Sequence, residues 1–159
     1  MPLVTIVPFE NIEKEVIDRV KDAIINTFNS RVNVYPRKLN LPHHLRKRNG
    51  QLNAEDFLPV INKLVEDYGV GIVDHDLFVP GLNFVFGVAF GKNCVIALAR
   101  LKGDRFLERV RKEAIHELGH CFGLSHCAKA ECVMHFSNSL VDTDYKGEEL
   151  CRDCKEGLG

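Results

Sequence analysis

Apolar positions in the first half of the chain repeat with two different periods. Short runs typical of strands occur at residues 3–7, 31–35 and 70–73, the second of them alternating polar and apolar positions. Between these runs, apolar residues recur every three or four positions, as they do along one face of a helix. They predict a helix at residues 11–29, capped by Asn11, and another at residues 53–68, capped by Asn53. The predicted buried faces are Ile12, Val16, Val20, Ile24 and Phe28 in the first helix, and Phe57, Ile61, Leu64 and Val65 in the second.

Two strongly apolar runs, residues 83–90 and 93–100, flank Gly91 and Lys92, which predicts a strand pair joined by a tight turn. A third helix is then predicted from residue 103 to residue 123. One stripe of this helix is apolar, while His116 and His120 lie on another stripe. The apolar stripe comprises Leu107, Val110, Ala114, Leu118 and Cys121. This order of elements predicts an α/β fold in which helices cover a twisted, mixed sheet.

The third helix carries the candidate chemistry. His116 and His120 are four positions apart, so on a helix both imidazoles face the same way, about 6 Å apart along the axis. This separation suits two ligands of one tetrahedral Zn²⁺. Glu117 is turned by about 100° from His116, so it can act on a water molecule at the metal without binding the metal itself. A bare HExxH pentapeptide also arises by chance on ordinary amphipathic helices.

The residues after this helix favour the metal interpretation. Gly123 is placed to end the helix, because glycine adopts the left-handed conformation at this position without a Cβ penalty. The chain can then reverse and bring His126 back as a third ligand. Three histidines leave a fourth position open for water, which is the arrangement of a catalytic and not of a structural zinc site.

Length and charge narrow the range of functions. A chain of 159 residues can form one domain with an ordinary core, and a formal net charge of −1 does not indicate binding to nucleic acid or to a membrane. No apolar run approaches the roughly 20 residues of a membrane span. The first ten residues lack the basic region of a signal peptide, so we expect a cytoplasmic protein. In that compartment the six cysteines are better explained by metal binding than by disulfides.

Residues 36–50 are predicted to form a loop, because they contain two prolines and end in Asn49-Gly50. The loop carries five basic residues, namely Arg37, Lys38, Arg46, Lys47 and Arg48. They could form a patch for an anionic ligand or could simply face solvent. No aromatic residues interleave them, which favours the solvated loop.

The histidine motif continues into a longer pattern. Residues 116–127 read HELGHCFGLSHC, and they are followed by Cys-Val-Met at 132–134 and by Cys-Arg-Asp-Cys at 151–154. This pattern resembles the archaemetzincins, a branch of the metzincin zinc peptidases. The resemblance implies that the sheet lies above the zinc helix and that one strand of the 83–100 pair is an edge to which a peptide substrate can add. The alternative is a buried strand pair that binds no ligand.

Four cysteines form two closely spaced pairs, Cys127 with Cys132 and Cys151 with Cys154, as in closed structural zinc sites. A C-x-x-C pair can also be redox-active, but this one lies at the C-terminus and lacks a strand-to-helix context. We therefore expect two Zn²⁺ per chain, one catalytic and one structural. The structural ion would clamp a small C-terminal subdomain, residues 124–159, to residues 1–123 within a single catalytic domain, residues 1–159.

Two residues downstream of the histidines bear on activity. The resemblance implies that Met134 is the methionine of the turn that lies beneath the metal. Considered without the resemblance, Met134 could be a methionine that fills the core. Some metzincins place a tyrosine two residues later, where its hydroxyl can stabilise the oxyanion, but this chain has Phe136. Loss of one oxyanion donor can cost about 2.7–4 kcal/mol, unless Tyr145 substitutes for it.

These observations predict a zinc-dependent metallopeptidase, because a protein that only binds peptides has no need of Glu117 beside the metal. The resemblance implies short peptides as substrates, with possible aminopeptidase action, and we expect a monomer that needs no other partner. Phe136 supports a second hypothesis, a zinc-dependent peptide-binding module with little or no turnover. A third is an amidohydrolase of a small non-peptide substrate that uses the same metal and Glu117.

Overall fold

The computed structural model describes residues 1–159, which form eight strands and five helices. In chain order these are β1 (Leu3–Pro8), α1 (Lys14–Phe28), β2 (Arg31–Val34), β3 (Lys47–Arg48), β4 (Gln51–Asn53), α2 (Leu58–Leu64), β5 (Tyr68–Val73), β6 (Leu77–Phe78), β7 (Gly87–Phe90), β8 (Asn93–Ala97), α3 (Phe106–Cys121), α4 (Leu140–Tyr145) and α5 (Arg152–Gly157).

The main sheet contains five strands in the order β2-β1-β5-β8-β7. β2, β1, β5 and β8 run parallel to one another, whereas β7 pairs antiparallel with β8 through the turn at Gly91 and Lys92. The predicted mixed α/β sheet is therefore confirmed. β7 lies at one edge of the sheet, so only one of its two sides is paired with another strand.

Helices cover both faces of this sheet, which explains why its central strands are apolar at almost every position. Side chains of β8 point alternately to the two faces: Ile96 packs with α1 and α3, while the adjacent Val95 packs with α2. The predicted apolar stripe of α3 is buried in the same way, with Val110, Ala114 and Leu118 fully excluded from solvent. This packing presses α3 against the sheet beneath β7 and β8.

A second, smaller sheet corrects the prediction of a plain loop at residues 36–50. β3 pairs antiparallel with β4, which in turn pairs parallel with β6. Asn49 and Gly50 both have positive φ, 49° and 81°, in the turn that joins β3 to β4. Asn-Gly is the sequence that favours such a turn, so the loop signal at this position marks a hairpin.

Other predicted boundaries also shift. α1 begins at Lys14 and its N-cap is Glu13, not Asn11, and α3 begins at Phe106 because Gly103 has a φ of 131°. Asn53 does accept a hydrogen bond from Glu55 N, but it caps a 3₁₀ turn that precedes α2. Residues 83–86 were predicted as strand, yet they are irregular, and only Val85 forms an isolated bridge to Leu77.

The C-terminal part of the chain packs against α1 and α3 through a third apolar cluster, which includes Ala23, Ile115, Val133, Met134 and Leu150. Its two helices are short, six residues each, so most of this part is irregular chain. Across the molecule, no helix combines the length and the apolar character that crossing a bilayer requires.

Candidate metal centre and active site

The structure brings together the three predicted histidines. The ring centroids of His116 and His120 are 4.8 Å apart, and those of His120 and His126 are 4.7 Å apart. One ring nitrogen from each histidine lies within 4.8 Å of the other two. His116 and His120 come from the last turns of α3, while His126 returns after the turn at Gly123, whose φ is 98°.

Hydrogen bonds to the backbone decide which nitrogen each of the two helical histidines presents. Nδ1 of His116 lies 2.9 Å from the carbonyl oxygen of Val133, and Nδ1 of His120 lies 2.8 Å from that of Leu124. A carbonyl only accepts, so in both rings Nδ1 carries the proton and donates it. Nε2 is then left with a free lone pair, as a metal ligand requires. The donor set therefore fits a zinc ion with three imidazole ligands.

Glu117 is buried beside these imidazoles, with 6 % of its surface exposed. It lies against Gly87, the first residue of β7: a Cβ built on Gly87 would come within 2.8 Å of Glu117 Oε2 and 2.7 Å of the Val95 carbonyl oxygen. Real Cβ atoms do not approach other atoms so closely. Only glycine at position 87 leaves room for the carboxyl of Glu117 between α3 and the sheet.

Burial sets the protonation of this site. It lowers the pKa of the His116 imidazole to about 3, and the charge of Lys146 acts in the same direction, so the ring is neutral and able to bind metal at neutral pH. Burial also raises the pKa of the Glu117 carboxyl well above its ordinary value, and the neighbouring Glu113 carboxyl adds to this effect. A cation at the three imidazoles would favour the ionised carboxylate that a base needs.

A cavity of about 410 Å³ opens over the three histidines and Glu117. One side is α3, and the other is formed by β7 and the irregular segment that precedes it, residues 79–86. Phe136 also lines the cavity, with its ring 5.2 Å from that of His126. Tyr145 is 71 % exposed and is not part of the lining, so it does not replace the missing phenol.

The four predicted cysteines also meet, although their two sequence pairs lie about twenty residues apart. Sγ of Cys127 is 3.8 Å from that of Cys151, and Sγ of Cys132 is 3.8 Å from that of Cys154. Two thiolates at tetrahedral angles, each about 2.3 Å from a zinc ion, are separated by roughly this distance. Backbone N–H groups of Met134 and Cys151 point at Cys132 Sγ, which stabilises a thiolate. The cluster therefore fits a closed zinc site.

Met134 is completely buried beneath α3, and its Sδ would be only 2.5 Å from a Cβ built on Gly119. Gly119 lies between the two helical histidines in sequence, next to His120. The side chain therefore packs against the segment of α3 that carries the histidines, where the methionine turn was predicted.

Three residues of this site were not identified from the sequence. Glu113 and Lys146 are buried and line the cavity, and Lys146 donates a hydrogen bond to the His135 carbonyl and lies 3.4 Å from His116 Nδ1. Gly87 was included only as one position of the apolar run at residues 83–90. Glu113 precedes Glu117 by one helical turn, so its position on the same face could have been inferred. Nothing in the local sequence marks Lys146.

Comparison with known proteins agrees with this geometry. The family model described as Peptidase family M54 matches residues 1–159. An archaemetzincin from Pyrobaculum aerophilum is 44 % identical over 124 residues, which cover 77 % of this chain and 80 % of that protein.

Two solved structures are also similar. The archaemetzincin of Methanopyrus kandleri superposes with a TM-score of 0.88 at 36 % identity, covering 99 % of this chain and 93 % of that one. The archaemetzincin of Archaeoglobus fulgidus, determined in complex with malonate, superposes with a TM-score of 0.82 at 32 % identity, covering 97 % and 98 % of the two chains. The fold and family predictions are confirmed: the chain belongs to peptidase family M54, the archaemetzincins, and is a zinc-dependent metallopeptidase.

Proposed function

We propose that this metallopeptidase cleaves short peptides at the cavity over α3, with Glu117 as the general base. The observation that carries the proposal is the enclosure of the Glu117 carboxyl between Gly87 and the three imidazoles. Burying a carboxylate costs free energy unless a nearby charge compensates it, and here Glu117 lines the same cavity as three histidines that could hold a cation. His116, His120 and His126 are the proposed ligands of the catalytic zinc.

The protein residues divide the reaction between them. When bound, zinc acts as a Lewis acid on the substrate carbonyl and lowers the pKa of water to about 7. Glu117 accepts a proton from the attacking water and delivers it to the leaving amine. Val133 and Leu124 hold the rings of His116 and His120 through their carbonyl oxygens. These bonds keep both Nε2 atoms directed into the cavity during the reaction.

We propose that the peptide lies along β7 as an added strand. β7 is the edge strand, and Gly87, Val88 and Ala89 line the cavity. Its backbone pairs with β8 on one side only, so the N–H and carbonyl groups of the other side are available to a peptide. An extended peptide in this position would pass over Glu117. The alternative of a strand pair buried on both sides is not supported, since β7 has an open edge.

We also propose a second, structural zinc held by Cys127, Cys132, Cys151 and Cys154. Its support is the arrangement of the four sulfur atoms, which lie within 4.8 Å of one another. The residues between them, 128–150, include Val133 and Met134 beneath the catalytic helix. The structural zinc would thus clamp residues 124–159 onto residues 1–123 within one catalytic domain.

Phe136 favours slow turnover. It occupies the cavity next to His126, and no tyrosine hydroxyl lines the cavity that could bind a developing oxyanion. If turnover is very weak, the same cleft still binds peptides, which is the function that the hypothesis of a binding module describes.

Digestion of a peptide library tests the proposal. Zinc-loaded protein is incubated with a mixed library in two forms, one with free N-termini and one with acetylated N-termini, and products are identified by mass spectrometry. Aminopeptidase action predicts loss of single N-terminal residues from the free form only, whereas endopeptidase action cleaves both forms. Absence of cleavage in both libraries would contradict peptide hydrolysis and leave peptide binding as the function.

A further inference from the structure

The wall of the cavity opposite α3 has little regular structure of its own. This cleft wall, residues 79–86, contributes six of the residues that line the cavity: Val79, Leu82, Asn83, Phe84, Val85 and Phe86. Its backbone is tied to the rest of the chain by few bonds, chiefly Val85 N to the Leu77 carbonyl at 2.9 Å and Ala97 N to the Phe86 carbonyl at 2.8 Å. Contacts other than these backbone hydrogen bonds must therefore hold the middle of the cleft wall in place.

Two side chains from the hairpin β3–β4 supply that support. Arg48 Nη2 donates to the carbonyl oxygens of Leu82 and Asn83, at 2.5 and 3.2 Å. Gln51 Nε2 donates to the same Asn83 carbonyl at 2.8 Å. Neither carbonyl receives a hydrogen bond from a backbone N–H. The side chains of β3 and β4 therefore replace the backbone partners that a strand would have given this segment.

The positions of Arg48 and Gln51 are themselves fixed. The Arg48 guanidinium lies 4.1 Å from the centre of the Phe78 ring, and its Nη2 donates to Gln51 Oε1 at 3.4 Å. Gln51 is 8 % exposed and also donates to Asp76, at 3.2 Å. Asp76 in turn accepts two hydrogen bonds from Arg100, whose guanidinium lies 4.0 Å from the ring centre of Phe84 in the wall. The network thus contacts the wall both at its backbone and at an aromatic side chain.

This arrangement also separates the basic residues of the 36–50 segment by role. Arg46 forms an ion pair with Asp56 at 2.9 Å, and all of its side-chain hydrogen bonds go to Asp56. Arg48, two residues later, is half-buried and turned toward the wall. A single cluster of free cations for an anionic ligand is therefore not formed by these two residues.

We propose that Arg48 and Gln51 are positioning residues for the peptide: they hold the cleft wall at the separation from α3 at which a peptide can contact both. The inference rests on the proposed function, since it concerns the same cavity. Without these donors the Leu82 and Asn83 carbonyls lose their partners, and the wall moves to find new ones in solvent. Contacts between wall and peptide then weaken, while His116, His120 and Glu117 keep their positions on α3.

Binding of two hydroxamates tests this without requiring turnover. Acetohydroxamate can contact only the metal and its immediate surroundings, whereas a dipeptide hydroxamate with two apolar side chains also reaches the wall. Both are titrated into zinc-loaded wild type, Arg48→Met, Gln51→Met and the matched control Arg46→Met. We expect about tenfold weaker binding of the dipeptide hydroxamate to the first two variants, unchanged binding of acetohydroxamate, and wild-type behaviour for Arg46→Met.

Hydrogen–deuterium exchange on the same proteins reports the wall directly. Arg48→Met and Gln51→Met should speed exchange in residues 79–86 and leave β5 and β8 unchanged. The inference is overturned if the dipeptide hydroxamate binds all four proteins equally, if it binds wild type no better than acetohydroxamate, or if Arg46→Met has the same effect as Arg48→Met. None of these outcomes depends on peptide cleavage, so a failure of the proposed function is seen separately in the library digestion.

Discussion

Gly87 and Glu117 are in direct contact across the interface between β7 and α3, and no side chain larger than hydrogen fits between them. A Cβ on Gly87 would lie 2.8 Å from Oε2 and 2.9 Å from Cγ of Glu117. Thirty residues separate the two in sequence. The edge strand that we propose for peptide binding thus also sets the position of the proposed base.

Replacing Gly87 by Ala should displace the Glu117 carboxyl without touching the three histidines. We expect kcat/KM to fall by about 100-fold, since a misplacement of about 1 Å at a reacting group can cost that much, while zinc content stays at the wild-type value. Phe90→Ala is the control, because Phe90 is on the same strand, 79 % exposed and outside the cavity lining. Equal activity in Gly87→Ala and wild type would show that the close contact has no bearing on the reaction.

Replacing Glu117 by Gln should reduce kcat by at least about 100-fold and leave both zinc content and peptide affinity near wild type. Glutamine has the shape of glutamate and keeps a carbonyl oxygen, but it cannot accept a proton at neutral pH. Product formation by mass spectrometry and metal content by elemental analysis measure the two effects. Glu108→Gln, on the same helix outside the cavity, should retain activity. Identical digests from wild type and Glu117→Gln would remove Glu117 from the mechanism.

Metal analysis should find two zinc equivalents per chain, and a chelator should remove one much faster than the other. The histidine site opens into the cavity through the exposed His126, whereas the cysteine site offers four ligands and leaves none of its positions open. Joint substitution of Cys151 and Cys154 by Ser should abolish the slowly released equivalent. If that double variant still holds two zinc equivalents, the assignment of a zinc site to the four cysteines is wrong.

Cys154→Ser should lower Tm far more than His126→Ala, by about 10 °C or more, because binding energy at a structural zinc is folding energy. The effect should extend to the catalytic site, since Val133, which accepts the hydrogen bond of His116 Nδ1, follows Cys132 directly. His126→Ala removes one proposed ligand of a site open to solvent and should chiefly lower catalytic zinc affinity. Differential scanning calorimetry compares the variants, and similar Tm losses would argue against this division of roles.

Restoring a phenol by Phe136→Tyr should raise kcat about tenfold if a missing oxyanion donor limits turnover. Phe136 already lines the cavity beside His126, so a hydroxyl added to its ring would lie in the same cavity as the proposed metal ligands. Initial rates with the best peptide of the library measure the change, and Phe136→Leu controls for altered packing. A rate unchanged or lowered in Phe136→Tyr would indicate that another donor already serves this purpose.

The sequence alone determined the features that depend on neighbouring residues. The four-residue spacing places His116 and His120 on one face of a helix, and Gly123 marks the reversal that brings back His126, so all three proposed ligands lie within eleven residues. The paired cysteines and the apolar stripe of α3 are likewise local patterns. Element boundaries were less well predicted: Gly103 has a positive φ and lies before α3, and residues 83–86 are irregular although their apolar composition predicted a strand.

Only the tertiary structure decided how distant segments meet. Sequence patterns show which residues are apolar or charged, but they do not show which of them will touch after the sheet has formed. The close approach of Gly87 to Glu117, the burial of Lys146 beside His116, and the support of Leu82 by Arg48 each join segments at least thirty residues apart. A basic residue such as Arg48 has the same local sequence pattern whether it faces solvent or supports a neighbouring segment. The difference lies in the carbonyl groups that the fold places within its reach.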